Sequence, residues 1–392
     1  MTGMSETTMD VLVIGAGITG VSAALELAEA GHRVEIIDAY GPAAMASGWT
    51  LAGVRQSGRH PAELPLARAA VALWGDLDEK LGAQTGYRRS GNLRLARNDS
   101  EAATIRALVD DQSRAGLDLT FLSDLKDARE IAPALSDRIV AASFCPTDGH
   151  ADPVATVEAF ARRAEGLGAR LSFGERVIRL EADGAGIARV VTDRRTITPG
   201  AVLLAAGILV NDLVAPLGHQ IPLRRPMVTV LRSAACAPLL SPVLGVANAD
   251  MAARQEINGR FRVTSGAEDW PGDIVETNGR PVIHPRMRAI RETIEKVSSV
   301  LPAFAEAELA EVWAGALDLT PDALPVIDRL PGLDNLVVAA GFSGHGFGIG
   351  PVTGAIAARL LRGIDPGHDI QPFRFDRFAA HTAAHAPLTL HG

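Results

Sequence analysis

The sequence predicts an α/β protein into which a second, α+β domain with a largely antiparallel sheet is inserted. Two glycine-rich segments near opposite ends of the chain each join an apolar run to a helical pattern. Between them, short alternating runs and turn dipeptides such as Asn258-Gly259 are typical of antiparallel strands. A chain of 392 residues is also expected to form two joined domains.

The first glycine-rich segment belongs to a strand–turn–helix–strand unit. The apolar run 11–14 precedes a GxGxxG, a helical pattern covers 21–30, and a second strand ends at Asp38. The glycines permit a tight turn, the approach of a pyrophosphate and close helix packing, and the helix N-terminus favours phosphate charge. Asp38, followed by Ala39, is placed to bind an adenosine ribose and disfavours NADP. The unit predicts a Rossmann-like dinucleotide site whose loop residues are Gly15, Ala16, Gly17, Ile18, Thr19 and Gly20.

The segment 43–55 favours FAD over NAD as the dinucleotide. It is rich in small residues and lacks the helix and third strand that a plain NAD fold would place there. Small residues let the backbone approach a flat ring closely, whereas the alternative interpretation is a surface loop.

The second glycine-rich segment, 341–346, follows a buried strand at 336–340 and precedes a helix predicted from about 352 to 361. Its amides would face an electron-rich group, which for a flavin is the pyrimidine edge. Further predicted elements are a helix over 153–167, strands near 170–173, 176–181, 188–192 and 202–206, and a helix over 285–300. We therefore predict an FAD-binding domain of residues 9–84, 145–214 and 320–380, and a substrate domain of residues 85–144 and 215–319.

Composition argues against several other classes of protein. A net charge of −8 argues against a nucleic-acid partner, because phosphate binding needs a basic surface. Cys145 and Cys236 have no metal-type spacing, so no metal is expected. No apolar stretch is long enough to predict an integral membrane segment, and a cytoplasmic location is expected.

These segments together resemble the D-amino acid oxidase family of flavoproteins, which includes glycine oxidase, monomeric sarcosine oxidase, D-amino acid dehydrogenase and the β subunits of sarcosine and opine oxidases. The resemblance rests on the two glycine-rich loops with Asp38, on residues 203–207, and on Trp313-Ala314-Gly315 with residues 320–327. It implies FAD across the first domain and a small amine held over the flavin. It assigns cofactor contacts to Ser47, Gly48, Val54, Val177, Ala206, Gly207, Gly341, Phe342, Ser343, Gly344, His345 and Gly346.

The resemblance also implies the substrate contacts. Arg55 matches an arginine that pairs with the substrate carboxylate in sarcosine oxidases, a role that suits a two-pronged guanidinium. Arg59 and Arg254 are reserve candidates, and a surface ion pair is the alternative for Arg55. His345 would stabilise the reduced flavin or take the amine proton; a histidine that only holds its loop is the alternative.

Three departures from the family pattern refine these expectations. Leu317 stands where glycine oxidase and D-amino acid dehydrogenase have an arginine, so the stretch is closer to the sarcosine and opine oxidase β subunits. No cysteine occurs there, which implies non-covalent FAD. Monomeric sarcosine oxidase has lysines that are missing here, one of them replaced by Gly348, and the chain has three lysines in all. A slow oxidase, or a dehydrogenase with a separate electron acceptor, is therefore expected.

The predicted reaction is oxidation of the C–N bond of a small amine, by hydride transfer to flavin N5 followed by imine hydrolysis. A secondary, N-substituted amino acid is the leading substrate. A D-amino acid dehydrogenase or oxidase is one alternative, and an FAD-binding subunit that is inactive without a hetero-oligomeric partner is another. A plain NAD-dependent dehydrogenase is the least favoured.

Overall fold

The structure is a computed structural model that describes residues 7–380. Within these residues the strands are β1 (Thr7–Ile14), β2 (Val34–Asp38), β3 (Gly53–Val54), β4 (Asn92–Ala96), β5 (Thr120–Leu122), β6 (Ala141–Cys145), β7 (Gly149–His150), β8 (Arg170–Phe173), β9 (Val177–Asp183), β10 (Gly186–Thr192), β11 (Thr196–Leu204), β12 (Pro226–Ala235), β13 (Val243–Val246), β14 (Met251–Gln255), β15 (Arg260–Ser265), β16 (Glu268–Asp269), β17 (Val275–Thr277), β18 (Arg280–Val282), β19 (Leu309–Ala316), β20 (Val326–Arg329) and β21 (Leu336–Ala340). The α-helices are α1 (Ile18–Glu29), α2 (Ala46–Trp49), α3 (Leu64–Trp74), α4 (Leu77–Leu81), α5 (Asp99–Arg114), α6 (Leu125–Ile131), α7 (Pro153–Gly166), α8 (Val210–Val214), α9 (Met287–Val300) and α10 (Gly346–Leu361).

The first sheet is built from three distant parts of the chain. Its strand order is β20-β21-β11-β1-β2-β8, and the pairs from β21 to β8 are parallel. Central strands such as β21 are buried along their whole length, which explains their unbroken apolar runs. β9 and β10 extend from β11 as antiparallel strands, and β20 pairs antiparallel with β21.

Helices from both ends of the chain cover one face of this sheet. α1 and α10 pack closely at two glycines of α10. A Cβ on Gly350 would lie 2.5 Å from the Ile18 side chain, and one on Gly354 would lie 2.6 Å from the Ser22 side chain. α3 and α7 contribute further residues to the same apolar cluster. The dinucleotide fold is therefore closed by the C-terminal helix.

The second sheet has nine strands, in the order β16-β12-β15-β14-β13-β4-β6-β5 with β19 paired to β12. Its pairs are antiparallel except β13 with β4, which confirms the predicted α+β character. Buried residues of α9 and of its own strands form its core. Both ranges predicted for the substrate domain contribute strands to it, while the domain boundaries themselves stay a prediction.

Two segments differ from the sequence prediction. The last helix begins at Gly346, about six residues earlier than expected, and contains Pro351 in its second turn. The segment 43–55 contains the short α2 and the two-residue β3, which pairs with β7 and lies outside the main sheet. From the sequence, the helix was expected to begin just after Pro351. Residues 347–350 include buried side chains, and their packing lets the helix begin before the proline.

Candidate active site

Two cavities meet at the carboxyl ends of the first sheet. The first, here called the loop cavity, is lined by residues that follow β1, β2 and β11 and by residues 175–178. The second, the intersheet cavity, is lined by residues of both sheets. Their shared lining makes them one elongated space; the residues in common are Gly17, Ala46, Ser47, Ala205, Gly207, Ile208 and Ala316.

The first glycine loop lines both cavities. Gly15 has φ of 111°, and a Cβ there would lie 2.3 Å from the Ala205 carbonyl oxygen. A Cβ on Gly20 would lie 2.0 Å from the Gly15 carbonyl oxygen. Gly17 begins α1 without a side-chain cap, and the Ile18 amide donates to Ser47 Oγ at 3.0 Å. The helix N-terminus therefore opens onto the shared part of the cavities, as a bound pyrophosphate requires.

Asp38 holds this end of the loop cavity together. Its carboxylate accepts hydrogen bonds of 2.8 Å from the amides of Ala16, Tyr40 and Gly41. Together with Ala39 it lines the loop cavity, opposite Val177. A nucleoside in this space would meet the Asp38 carboxylate at the end of β2, beside backbone and apolar groups, with Glu175, Arg176 and Asp212 also in the lining. An acid at the end of β2 fits the adenosine half of FAD.

The second glycine loop lines part of the intersheet cavity. Gly341 has φ of 73°, and its amide donates to Asp318 Oδ2 at 2.7 Å. Burial raises the pKa of Asp318 to about 6, against the lowering effect of the loop amides. Ser343 instead faces Thr320, whose amide donates to Ser343 Oγ at 3.2 Å. The predicted loop residues that line the cavity are Phe342, Gly344, His345 and Gly346.

Three arginines line the part of the intersheet cavity here called the arginine end. Arg55 follows β3, Arg59 lies in the next turn, and Arg94 comes from β4 of the second sheet. Burial lowers the pKa of Arg55, and the neighbouring Arg59 and Arg94 charges lower it further. Burial likewise lowers the pKa of Arg94 to about 10. Cationic side chains from the segment after β3 and from the second sheet thus line the same cavity.

Two buried carboxylates lie behind these arginines. Asp148 accepts hydrogen bonds from the backbone amides of Gln56 at 2.8 Å and Ser57 at 3.2 Å. Burial raises the pKa of Asp148. Glu63 Oε1 lies 3.6 Å from Arg59 Nε. Although burial alone would raise the pKa of Glu63, the nearby His345 and Arg59 hold it below its usual value. Four residues of this group were not predicted from the sequence: Arg94, Asp148, Glu63 and Asp318. The four-residue spacing of Arg59 and Glu63 was the one weak signal for them.

His345 connects the second glycine loop to this charged group. Its Nδ1 lies 3.1 Å from Glu63 Oε1, and its Nε2 lies 3.2 Å from the Ala323 carbonyl oxygen. Because a carbonyl oxygen only accepts, Nε2 bears a hydrogen and Nδ1 faces the carboxylate. Burial lowers the pKa of His345, and the Arg59 charge lowers it further while Glu63 opposes both. The imidazole and carboxylate are placed to share one proton.

The other predicted site residues differ in how close they lie to the cavities. Leu317 lines the intersheet cavity, whereas Gly48, Val54, Gly341 and Ser343 lie behind its walls. Arg254 lines neither cavity: it is buried in β14, where its Nη1 lies 3.0 Å from His150 Nδ1. Burial and the neighbouring Arg262 lower its pKa to about 9. The structure therefore does not bring Arg254 to the site.

A Rossmann-like loop, an elongated cavity and a second amide-lined loop define a flavin-dependent oxidoreductase. The family described as "DAO: FAD dependent oxidoreductase" matches residues 10–360, and the chain belongs to this family. Its cofactor is FAD. Residues 7–380 contain no helix with the length and apolarity needed to span a membrane. They also contain no group of three His, Cys, Asp or Glu side chains positioned to hold a metal ion.

Curated relatives cover nearly the whole chain. It is similar to 4-methylaminobutanoate oxidase (formaldehyde-forming) of Paenarthrobacter nicotinovorans, with 26% identity over 94% of this chain and 46% of that protein. It therefore spans about half the length of that relative. Glycine oxidase of Bacillus licheniformis is 27% identical over 90% of this chain and 93% of its own. Sarcosine oxidase subunit beta of an Arthrobacter species is 25% identical over 94% and 91%.

A solved structure shows the same fold. L-proline dehydrogenase from P. horikoshii superimposes with a TM-score of 0.86 at 27% identity, covering 96% of this chain and 99% of that one. The protein is thus an FAD-dependent oxidoreductase of this family.

Proposed function

We propose that the protein oxidises the C–N bond of a small secondary, N-substituted amino acid, which it holds between the second glycine loop and Arg55. The supporting observation is that one cavity joins the site for FAD to a wall of arginines. Arginine binds a carboxylate through two parallel hydrogen bonds, and so fixes the orientation of an amino acid as well as its charge.

The chain's own residues would position the substrate. Bound FAD supplies the hydride acceptor, so the protein's part is binding, orientation and proton handling. Apolar residues including Val228, Val230 and Val246 line the cavity beside the arginines. Such walls exclude water and favour the neutral amine over the ammonium form. The His345–Glu63 pair is placed to hold the proton that the amine loses.

The preference for a secondary amine rests on Leu317, an apolar residue in the cavity wall. Two relatives named after methylaminobutanoate and sarcosine oxidation support it. Because one relative is named glycine oxidase, a primary amino acid, including a D-amino acid, is the second candidate substrate.

An anaerobic screen of the holoenzyme tests this proposal. We expect loss of the flavin absorbance with N-alkyl amino acids and slower or no loss with the matching primary amino acids and uncarboxylated amines. Arg55→Met should raise the concentration needed for half-maximal reduction by about a hundredfold, the loss of a charge-assisted pair. Arg163→Met, an exposed arginine on α7, is the matched control. Equal reduction by amines without a carboxylate would overturn the proposal.

We further propose an electron acceptor other than oxygen. A Cβ on Gly348 would lie 2.8 Å from the Gly53 carbonyl oxygen, so no lysine fits there without a backbone shift. Among the described residues no lysine lines either cavity. Reduced holoenzyme mixed with air should reoxidise slowly, and rapid reoxidation would contradict this.

FAD is proposed to be held without a covalent bond. Cys145 and Cys236 line neither cavity. Acid precipitation should therefore release all the flavin into the supernatant, whereas a yellow pellet would show a covalent link.

A hetero-oligomeric subunit is the second candidate function, since one relative is named as subunit beta of sarcosine oxidase. The same anaerobic screen separates the two. A purified chain that retains FAD, yet is reduced by no amine until a partner protein is added, would favour the subunit.

A further inference from the structure

The segment 43–52 contains α2 and contributes to the walls of both cavities. Ala46 and Ser47 line each cavity, whereas Trp49 lines the intersheet cavity alone. Ser47 Oγ also accepts a hydrogen bond of 3.0 Å from the Ile18 amide, at the start of α1. A shift of α2 would therefore change the walls of both cavities and the start of the helix that faces the cofactor.

This segment needs support from other parts of the molecule. Ala43 has φ of 56° and Ala52 has φ of 55°, left-handed conformations that alanine rarely adopts. α2 lies between them and has only four residues, and Met45 at its N-cap makes no side-chain hydrogen bond to it. A helix this short is unstable alone, and strained residues persist only where their surroundings fix them.

Two side chains of the second sheet supply that support. Arg262 Nη2 donates to the Gly48 carbonyl oxygen at 3.2 Å, and Trp313 Nε1 donates to the Trp49 carbonyl oxygen at 3.1 Å. The last carbonyl oxygens of a helix have no partner within it, and a cationic donor suits them well. The guanidinium carbon of Arg262 also lies over the Trp313 ring, 4.9 Å from its centroid. The two donors therefore act together at the C-terminal end of α2.

Ion pairing alone does not account for the burial of Arg262, which is 4% exposed. Glu256 lies 3.7 Å from Arg262 Nη1, but it also lies 3.5 Å from Arg254 Nη2. One carboxylate thus serves two buried arginines. The hydrogen bond to α2 is a further interaction that stabilises Arg262 at this position, and it crosses between the two sheets.

The two donors also continue the wall of the substrate cavity. Arg262 and Trp313 line neither cavity, but Thr264 and Gly315, two positions further along the same strands, line the intersheet cavity. Because side chains alternate along a strand, the donors and the lining residues lie on one face of the sheet. A Cβ on Gly315 would lie 3.1 Å from Trp49 Cβ. The face that walls the cavity therefore extends directly into the contacts with α2.

We infer that Arg262 and Trp313 are positioning residues for FAD: they hold the C-terminal end of α2, and through α2 they keep the walls of both cavities in the shape that binds the cofactor. The affinity for FAD then depends on two side chains that line neither cavity. This inference concerns the cofactor of the family, and it holds whichever amine is oxidised.

Equilibrium ultrafiltration of the holoenzyme, with flavin measured in the filtrate, gives the dissociation constant of FAD. Arg262→Met should raise this constant about tenfold, the worth of a hydrogen bond from a charged donor. Trp313→Phe keeps an aromatic ring under the guanidinium but loses the indole N–H, and should raise the constant about fivefold.

Two matched controls remove the same chemical groups elsewhere on the second sheet and its loops. Arg260→Met removes a guanidinium two residues earlier on β15, where it pairs with Glu311 at 3.0 Å. Trp270→Phe removes an indole N–H that donates within its own loop, to the Asp273 carbonyl oxygen at 3.3 Å. Both controls should keep the FAD affinity of the unmodified protein.

A conservative variant and a spectrum separate positioning from packing. Arg262→Lys keeps a cationic donor, and should bring the FAD affinity to within about threefold of the unmodified protein. A role in packing alone would leave Arg262→Lys no better than Arg262→Met. At saturating FAD, the absorption spectrum of the bound flavin should be altered in Arg262→Met and Trp313→Phe and unaltered in the two controls.

Unchanged FAD affinity and an unchanged flavin spectrum in Arg262→Met would overturn the inference. An equal loss of affinity in Arg262→Lys and Arg262→Met would overturn it as well. If Arg262→Met yields no folded protein, Trp313→Phe decides the question by the same two measurements. If no variant releases flavin, the spectra decide, and spectra identical to that of the unmodified protein would count against the inference.

Discussion

The two halves of the elongated cavity are built in different ways. The loop cavity is formed largely by residues at the carboxyl ends of neighbouring strands and in the segments that follow them, including Asp38 at the end of β2. The arginine end of the intersheet cavity is formed by charged side chains that meet from β4, from the turn after β3 and from the second glycine loop. Local backbone geometry determines the first half, and side-chain direction across two sheets determines the second.

This difference decides how each half tolerates change. In the loop cavity the limiting quantity is space, because carbonyl oxygens lie where a Cβ would be. At the arginine end the limiting quantity is charge balance, because cations and anions are buried together. Steric changes should therefore be most damaging in the first half and electrostatic changes in the second.

The largest effect is expected for Gly20→Ala. The new Cβ would lie 2.0 Å from the Gly15 carbonyl oxygen, so α1 must move away from the loop that would hold the pyrophosphate. The purified variant should contain no FAD and unfold at a lower temperature. Gly166→Ala, where nothing lies within 4 Å, is the control. A yellow Gly20→Ala protein with unchanged flavin content would break the comparison at its steric half.

Glu63→Gln should have the next largest effect. It leaves Arg59 and His345 buried without their shared carboxylate, which costs about 3 kcal/mol for a broken buried pair. Urea unfolding would measure this, with the exposed Glu165→Gln on α7 as control. A variant as stable as the parent would show that charge balance does not govern this half.

His150, which contacts Arg254 of the second sheet, makes the stability of the folded protein depend on pH. Burial, and then the charges of Arg254 and Arg88, hold the pKa of His150 well below 6.5. Below pH 6.5 the unfolded chain takes up a proton that the folded protein refuses, so stability falls by about 1.4 kcal/mol per pH unit from this group. His150→Gln should lose less stability than the parent between pH 6.5 and 5, and the exposed His284→Gln should behave like the parent.

The smallest effect is expected for Asp318→Asn, at the second glycine loop. Asn keeps an oxygen acceptor for the Gly341 amide but cannot ionise. The pKa of about 6 for Asp318 means a neutral acid below that pH and a carboxylate above it. The flavin absorption spectrum should therefore change through pH 6 in the parent and stay constant in Asp318→Asn. Identical pH responses would separate Asp318 from the flavin.

Sequence patterns predicted the first half better than the second, for physical reasons. A GxGxxG between an apolar strand and a helix has one local geometry, so Gly15 and Gly20 could be assigned their steric roles directly. Arg94 could not be assigned, because β4 is buried on both sides of the arginine and its alternation gives no direction. Glu63 could not be assigned either, since its partner His345 lies far along the chain. The helix start at Gly346 was missed because burial outweighs the helix-breaking tendency of Pro351.

The pairing of β21 with β11, and of α10 with α1, also sets the order in which the protein can mature. When the first two hundred residues have been synthesised, the whole GxGxxG unit is present. The helix that packs against it, α10, is not yet made. That helix is translated only after most strands of the second sheet. Truncation shortly before residue 336 would remove it, so a stop codon there should be as harmful to flavin loading as one within the GxGxxG unit.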